Sequence, residues 1–261
     1  MINLSKQASR PIPVDLNIVY EIVDDALKNA KYDRNGVLIE FNQKDMSRRF
    51  KSPRGLSLTV DFVFIADPKR TYPYVAAYNS KSKTVSIYYS DLYILERSLL
   101  PEQLEMFKKH IMLGEKINFK LPPVMHDKRR EHIAKSLVHE LTHALDYKLR
   151  PGQRSEYADI AQDVLSKDDS TITKYRKRYY NSPEEVRAYM AQIVFEIQNL
   201  YKTYGTGLRD LMPRSHTLQE MLYLYGKDIL KKEVINKIYS AVYQWMTDNN
   251  IDPHTGQKKT V

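Results

Sequence analysis

Residues 139–143 read His-Glu-Leu-Thr-His, inside the longer run SLVHELTHALDYKL. Two histidines four residues apart on a helix project from one face about one turn apart, so both imidazoles can bind a single metal ion. Glu140 then stands beside that ion, where its carboxylate can take a proton from activated water. With 7 histidines and 14 glutamates in 261 residues, chance supplies such a pentapeptide only about 0.01 times. His139 and His143 are therefore expected to hold one Zn2+, with Glu140 as general base. The chain has no cysteine, which excludes disulfides and thiolate ligands, so a metal site must use histidine and carboxylate.

The element that must position these residues is a helix. From Glu131 to Leu149 there is no proline or glycine, and Ala134, Leu137, Val138, Leu141 and Leu145 recur at helical spacing. At about 100° per residue those five form one stripe, with His132, His139, His143 and Asp146 on roughly the opposite face. A histidine that merely fills the core would sit on the apolar stripe instead. Pro151-Gly152 is expected to end the helix.

A catalytic zinc takes three protein ligands and keeps one position open. The pattern His-Glu-x-x-His-x-x-Gly-x-x-His is absent, since Asp146 replaces the glycine and Leu149 the last histidine. The best source of a third ligand is the segment Tyr179 to Tyr189, YYNSPEEVRAY. Ser182 as N-cap and Pro183 as first helical residue begin a helix that continues past Ile197. Its apolar stripe is Val186, Met190, Ile193, Ile197 and Leu200. Glu185 lies at the edge of that stripe and Glu184 nearly opposite, so periodicity favours Glu185. Two plainer roles compete: Ser-x-x-Glu is a capping box that Glu185 can complete, and Glu184 can serve the helix dipole.

Hydrophobic residues at 42% and aromatics at 11% describe a globular chain long enough to bury a substantial core. No run of about 18 apolar residues is present and the N-terminus lacks the apolar centre of a secretory signal, so a cytoplasmic or virion-associated product without a membrane span is expected. The net charge of +9 gathers in Arg48-Arg49-Phe50-Lys51, Lys128-Arg129-Arg130 and Lys174-Tyr175-Arg176-Lys177-Arg178. Such clusters can dock nucleic acid, although no nucleic-acid-binding motif accompanies them.

An amphipathic helix is expected over Val14–Ala30. Between Gly36 and Ser90 the period changes to two, with strands over Val37–Phe41, Leu56–Ile65, Tyr74–Tyr78 and Thr84–Tyr89. The turn Asn79–Lys83 joins the last two as a hairpin. Beyond Asp91 the pattern is helical, broken at Leu121-Pro122-Pro123, Pro151-Gly152, Ser182-Pro183 and Gly205-Thr206-Gly207. The expected fold class is α+β: residues 1–90 give a helix and a small, mainly antiparallel sheet, and residues 91–261 a larger helical part with the metal site. By its position before the metal helix, Thr84–Tyr89 is the candidate edge strand for holding an extended peptide by strand addition, with an ordinary buried strand as the alternative.

The run HELTHALD, followed some forty residues later by NSPEEVRAY, resembles the gluzincin type of metallopeptidase. More narrowly it resembles the catalytic domain of anthrax lethal factor and related toxin-like peptidases. Those pair a His-Glu-x-x-His-Ala-x-Asp helix with a downstream helix bearing Glu-x-x-Ala, whose glutamate completes the site. On this chain the pattern falls on His139, Glu140, His143, Ala144 and Asp146, then on Glu185 and Ala188. The resemblance covers two helices, about a quarter of the chain. It implies a single zincin-like catalytic domain over 1–261 and a zinc-dependent endopeptidase acting on protein or peptide substrates, with His139, His143 and Glu185 as ligands. The family also places an oxyanion-stabilising tyrosine shortly before the ligand; Tyr180 and Tyr179 are near, though neither falls in register. Tyr189 stands where a thermolysin-like acid would be, which leaves Asp146 as the carboxylate expected to orient an imidazole by accepting its other N–H. Two further functions are compatible with the chain: a zincin-fold structural or assembly protein, for instance of a virion, with little or no turnover, and a nucleic-acid-associated protein using the basic clusters.

Overall fold

The computed structural model describes residues 14–41, 48–51, 57–66, 76–96, 99–118, 120–149 and 169–259. The Pro151-Gly152 stop lies outside them, as do the side chains of Arg48, Arg49 and Lys51. The chain divides into two compact units, Val14–Ala144 and Leu145–Val261. Strands give way to helices at Ser90, as expected, but the boundary between the units falls much later, inside the helix that carries the histidine pair. The described elements make a mixed α+β protein.

The first unit opens with α1 (Leu16–Lys28), capped by the Asp15 carboxylate, which accepts from Asn17 N–H. Its apolar positions Val19, Ile22, Val23, Ala26 and Leu27 are all buried. A two-stranded antiparallel ribbon follows, β1 (Lys31–Tyr32) with β2 (Leu38–Glu40). Then come β3 (Arg48–Lys51), β4 (Ser57–Phe64), β5 (Ala76–Asn79) and β6 (Thr84–Tyr89), forming a four-stranded sheet in the order β3-β4-β6-β5. The β3–β4 and β5–β6 pairings are antiparallel and β4–β6 is parallel. Alternation along β4 and β6 buries Leu58, Val60 and Phe62 beside Val85, Ile87 and Tyr89, the signature of a sheet with one covered face.

The expected Asn79–Lys83 hairpin forms, with Asn79 Oδ1 accepting from Lys81 and Ser82 N–H. One expectation is corrected: β6 is not an edge strand. It lies between β4 and β5, so its backbone groups are committed to ladders on both sides and cannot receive a peptide by strand addition. Pairing of β4 with β6 skips over β5 in sequence, and a period of two carries no information about such non-local neighbours.

A one-turn helix, α2 (Leu92–Leu95), and the longer α3 (Pro101–Leu113) lead to α4 (Met125–Leu149), which carries the histidine pair. It starts six residues before the expected Glu131. The predicted stripe is the buried one: Ala134, Leu137, Val138, Leu141 and Leu145 are all 2% exposed or less. The start of α4 is anchored by a buried ion pair. Arg129 donates from Nε and Nη2 to the two Asp91 oxygens at 2.7 Å each, and Nη2 also reaches the Gly36 carbonyl. Asp91 further accepts from Leu38 N–H and from the Tyr89 hydroxyl, which ties the ribbon, the end of β6 and α4 to one carboxylate. Aromatic contacts continue the link, since the His132 ring stacks on Tyr93 at 5.6 Å and meets Tyr89 edge-on at 5.9 Å.

The second unit is helical: α5 (Asp169–Tyr180), α6 (Pro183–Tyr204), α7 (Leu208–Leu211), α8 (His216–Gly226) and α9 (Lys232–Asp248). The two predicted breaks among its described residues occur where expected. Ser182 Oγ accepts from Glu185 N–H at the start of α6, and Gly205, with φ +62°, closes it in the left-handed conformation. Val186, Met190, Ile193 and Ile197 pack with Leu211, Leu218, Ile238 and Val242 in one core. Within it the Glu196 carboxylate accepts from Ser215 Oγ, Thr217 Oγ1 and Thr217 N–H, capping α8 from the side of α6.

Candidate metal centre

The polar face of α4 is largely withdrawn from solvent. His139 is 9% and Glu140 8% exposed, Thr142 is fully buried, and His143 is half-buried. Withdrawing imidazole and carboxylate groups from water costs free energy unless they are hydrogen-bonded or coordinate a metal. The Thr142 hydroxyl is accounted for locally, donating to the Val138 carbonyl. His139 and His143 turn toward one another, with Nε2 atoms 3.2 Å apart and rings nearly perpendicular at 75°. With Glu140 they are the group of three potential metal ligands among the described residues, one ligand atom from each lying within 4.8 Å of the others.

The donor set fits zinc. Bonds of about 2.0–2.1 Å from one ion to two nitrogens 3.2 Å apart enclose an angle of about 99–106°, near the tetrahedral value. Two neutral imidazoles sharing one N–H···N hydrogen bond also meet at this distance, so metal titration separates the two states.

In the second unit, the first turn of α6 holds Glu185 buried at 9% exposure, whereas Glu184 is only partly covered. Ser182 caps the helix with its hydroxyl, but its own N–H donates to the Tyr179 carbonyl. The Ser182 N–H is thus satisfied by backbone. Asn181, from the same motif, is structural: its side chain donates to the Ile229 carbonyl and accepts from Lys231 N–H.

Tyr179 and Tyr180, the expected oxyanion tyrosines, belong to a ladder of rings. Tyr175 stacks on Tyr179 at 6.0 Å, Tyr179 meets Tyr180 at 5.2 Å, and Tyr180 meets Tyr189 at 5.8 Å. Burial, with the Glu220 and Glu185 carboxylates adding to it, pushes the Tyr180 hydroxyl above the usual tyrosine range, so it stays a protonated donor. Tyr175 was not singled out from sequence, yet burial and then Glu185 raise its hydroxyl in the same direction. Its place one helical turn before Tyr179 was the available signal.

Asp146 makes a bond that the sequence did not suggest. Its Oδ2 accepts from Arg187 Nε at 2.5 Å, with both side chains buried, and its Oδ1 is buried with no hydrogen-bond partner. The carboxylate expected to orient an imidazole is thus held by a guanidinium. The basic clusters also change meaning. Arg129 is consumed by Asp91, and Arg130 binds Asp24 while lying 3.9 Å over the Tyr20 ring, so 128–130 is not a free basic patch. In α5, Lys177 pairs with Asp228.

No protein-family model, curated protein or solved structure matches this chain. Among the described residues no helix is long and apolar enough to cross a membrane.

Proposed function

We propose that this chain is a zinc-dependent metallopeptidase with a zincin-like catalytic domain, hydrolysing peptide bonds in protein or peptide substrates. The observation that carries this is the approach of His139 and His143 Nε2 to 3.2 Å beside Glu140, on the half-withdrawn face of a helix. Glu185 enters as third ligand on its place in the sequence motif, supported by its burial.

Bound zinc supplies Lewis acidity, polarising a carbonyl and bringing the ionisation of water toward neutral pH. The protein's own groups do the proton work. Glu140 takes the proton of the attacking water as its oxygen bonds to the carbonyl carbon, then delivers it to the departing nitrogen as the C–N bond breaks. A tyrosine hydroxyl, Tyr180 or Tyr179, donates to the oxyanion that forms between those events.

Glu140→Gln tests this reading. The variant is expected to keep zinc at the wild-type level, measured by elemental analysis, while cleavage of an unstructured protein substrate falls by about 100-fold or more. Unchanged cleavage in the variant removes Glu140 as the base. Zinc bound without cleavage by the wild type favours a structural protein that keeps a metal site.

A further inference from the structure

The Asp146–Arg187 pair has no part in the mechanism above, and its placement gives it one. Asp146 is the third residue after His143 on the continuous helix α4, and Arg187 is the second residue after Glu185 in the first turn of α6. Their side chains are 5% and 7% exposed and joined at 2.5 Å, inside one compact unit. A buried ion pair is a poor source of net stability, because desolvating two charges offsets most of their attraction. What it can give is a fixed geometry, since an arginine hydrogen-bonded to a carboxylate sets a direction where an apolar contact would allow sliding. Here the two residues fixed to each other are those that follow the last histidine and the expected glutamate ligand.

We infer that Arg187 is a positioning residue for the proposed ligand Glu185, acting through Asp146 to hold the start of α6 against the last turns of α4 within one compact unit. The inference rests on the zinc-peptidase reading of His139, His143 and Glu185. Asp146 Oδ1 is buried and without a hydrogen-bond partner, so Arg187 is the group that holds this carboxylate in place. Arg187 occupies one oxygen only. Because the ligands are ordered by partners behind them, removing such a partner typically weakens metal binding by about 10–100-fold.

The test compares zinc affinity, by chelator competition, with the urea midpoint for wild type, Arg187→Met, Arg187→Lys and the double variant Asp146→Leu/Arg187→Met. Arg187→Met is expected to bind zinc 10-fold or more weakly, and Arg187→Lys, which keeps the charge but not the planar fork, to fall between it and wild type. The double variant replaces the pair with apolar side chains and is expected to stay folded. It is therefore the decisive sample should Arg187→Met unfold. A folded double variant with weakened zinc supports positioning; one that binds zinc as wild type does makes the pair purely structural and overturns the inference. Failure of the wild type itself to bind zinc is a separate result, which refutes the zinc-peptidase reading instead.

Discussion

Replacing Arg129 with methionine removes the positive half of a pair whose carboxylate, Asp91, is fully buried. Asp91 accepts four hydrogen bonds: from Arg129 Nε and Nη2 at 2.7 Å each, from Leu38 N–H at 2.8 Å and from Tyr89 Oη at 2.9 Å. The variant keeps the last two but leaves a negative charge in the interior without a counter-ion, and strips the Gly36 carbonyl of a donor. Methionine fills much of the space, so the loss is mainly electrostatic. Breaking a buried pair from one side costs about 3–5 kcal/mol. Against a total stability of about 5–15 kcal/mol, that is a large share. With a urea slope of about 2 kcal/mol/M, a loss of about 4 kcal/mol lowers the midpoint by about 2 M. The neighbouring residue is the control. Arg130 pairs with Asp24 where the side chains are 34% and 48% exposed, and such pairs contribute about 0–1 kcal/mol. Its contact over Tyr20 adds about 0.5–1 kcal/mol. Arg130→Met should therefore shift the midpoint by less than half as much. Urea unfolding of both variants, followed by circular dichroism, measures the difference. If Arg129→Met moves the midpoint no more than Arg130→Met does, the buried network does not anchor α4.

Glu185→Ala is expected to weaken zinc binding strongly in chelator competition, while Glu184→Ala costs only a few tenths of a kcal/mol at the helix start; equal zinc affinity in both variants removes Glu185 from the ligand set. The Asp33 carboxyl sits below its ordinary value of 3.8: burial pushes it up, but hydrogen bonds from Val37 N–H, His110 and Asn35 N–H outweigh that. A lowered carboxylate contributes stability that is present above the ordinary value and lost as pH falls through the folded one. Asp33→Asn should accordingly flatten the decline in melting temperature below about pH 5, and a variant with the wild-type slope would show that Asp33 contributes nothing there. A Cβ at Gly207 would stand 2.0 Å from the His254 carbonyl oxygen. Gly207→Ala is thus expected to lower the melting temperature by about 5 °C or more, and an unchanged value would mean that the C-terminal segment does not pack against that turn.

What could be read from the residues followed from how local the governing physics was. The α4 stripe, the Ser182 cap, the Gly205 stop and the Asn79–Lys83 hairpin are decided within a few residues, and each is found where periodicity or turn chemistry put it. The interior place of β6 depends on which strand lies beside which, and alternation is blind to that. Buried ion pairs escape for the same reason. Arg129 looked like part of a basic patch, yet its partner Asp91 lies 38 residues away in sequence. Asp146 looked like an imidazole partner because it shares a helix face with the histidines. Its bond to Arg187, 41 residues on, is a contact that helix spacing does not signal. The histidine pair was legible because its chemistry is written in one turn of helix. The third ligand is harder to read, because any glutamate beside a helix cap has an ordinary reason to be there.

The most direct test of the account is zinc content after dialysis against metal-free buffer, measured together with zinc-edge X-ray absorption. We predict one zinc per chain, surrounded by nitrogen and oxygen at about 2.0–2.1 Å with two imidazoles among the scatterers, and its loss in both His139→Ala and His143→Ala. A wild-type protein that takes up no stoichiometric zinc, or that keeps it when both histidines are replaced, contradicts the account: the 3.2 Å approach is then a hydrogen-bonded histidine pair.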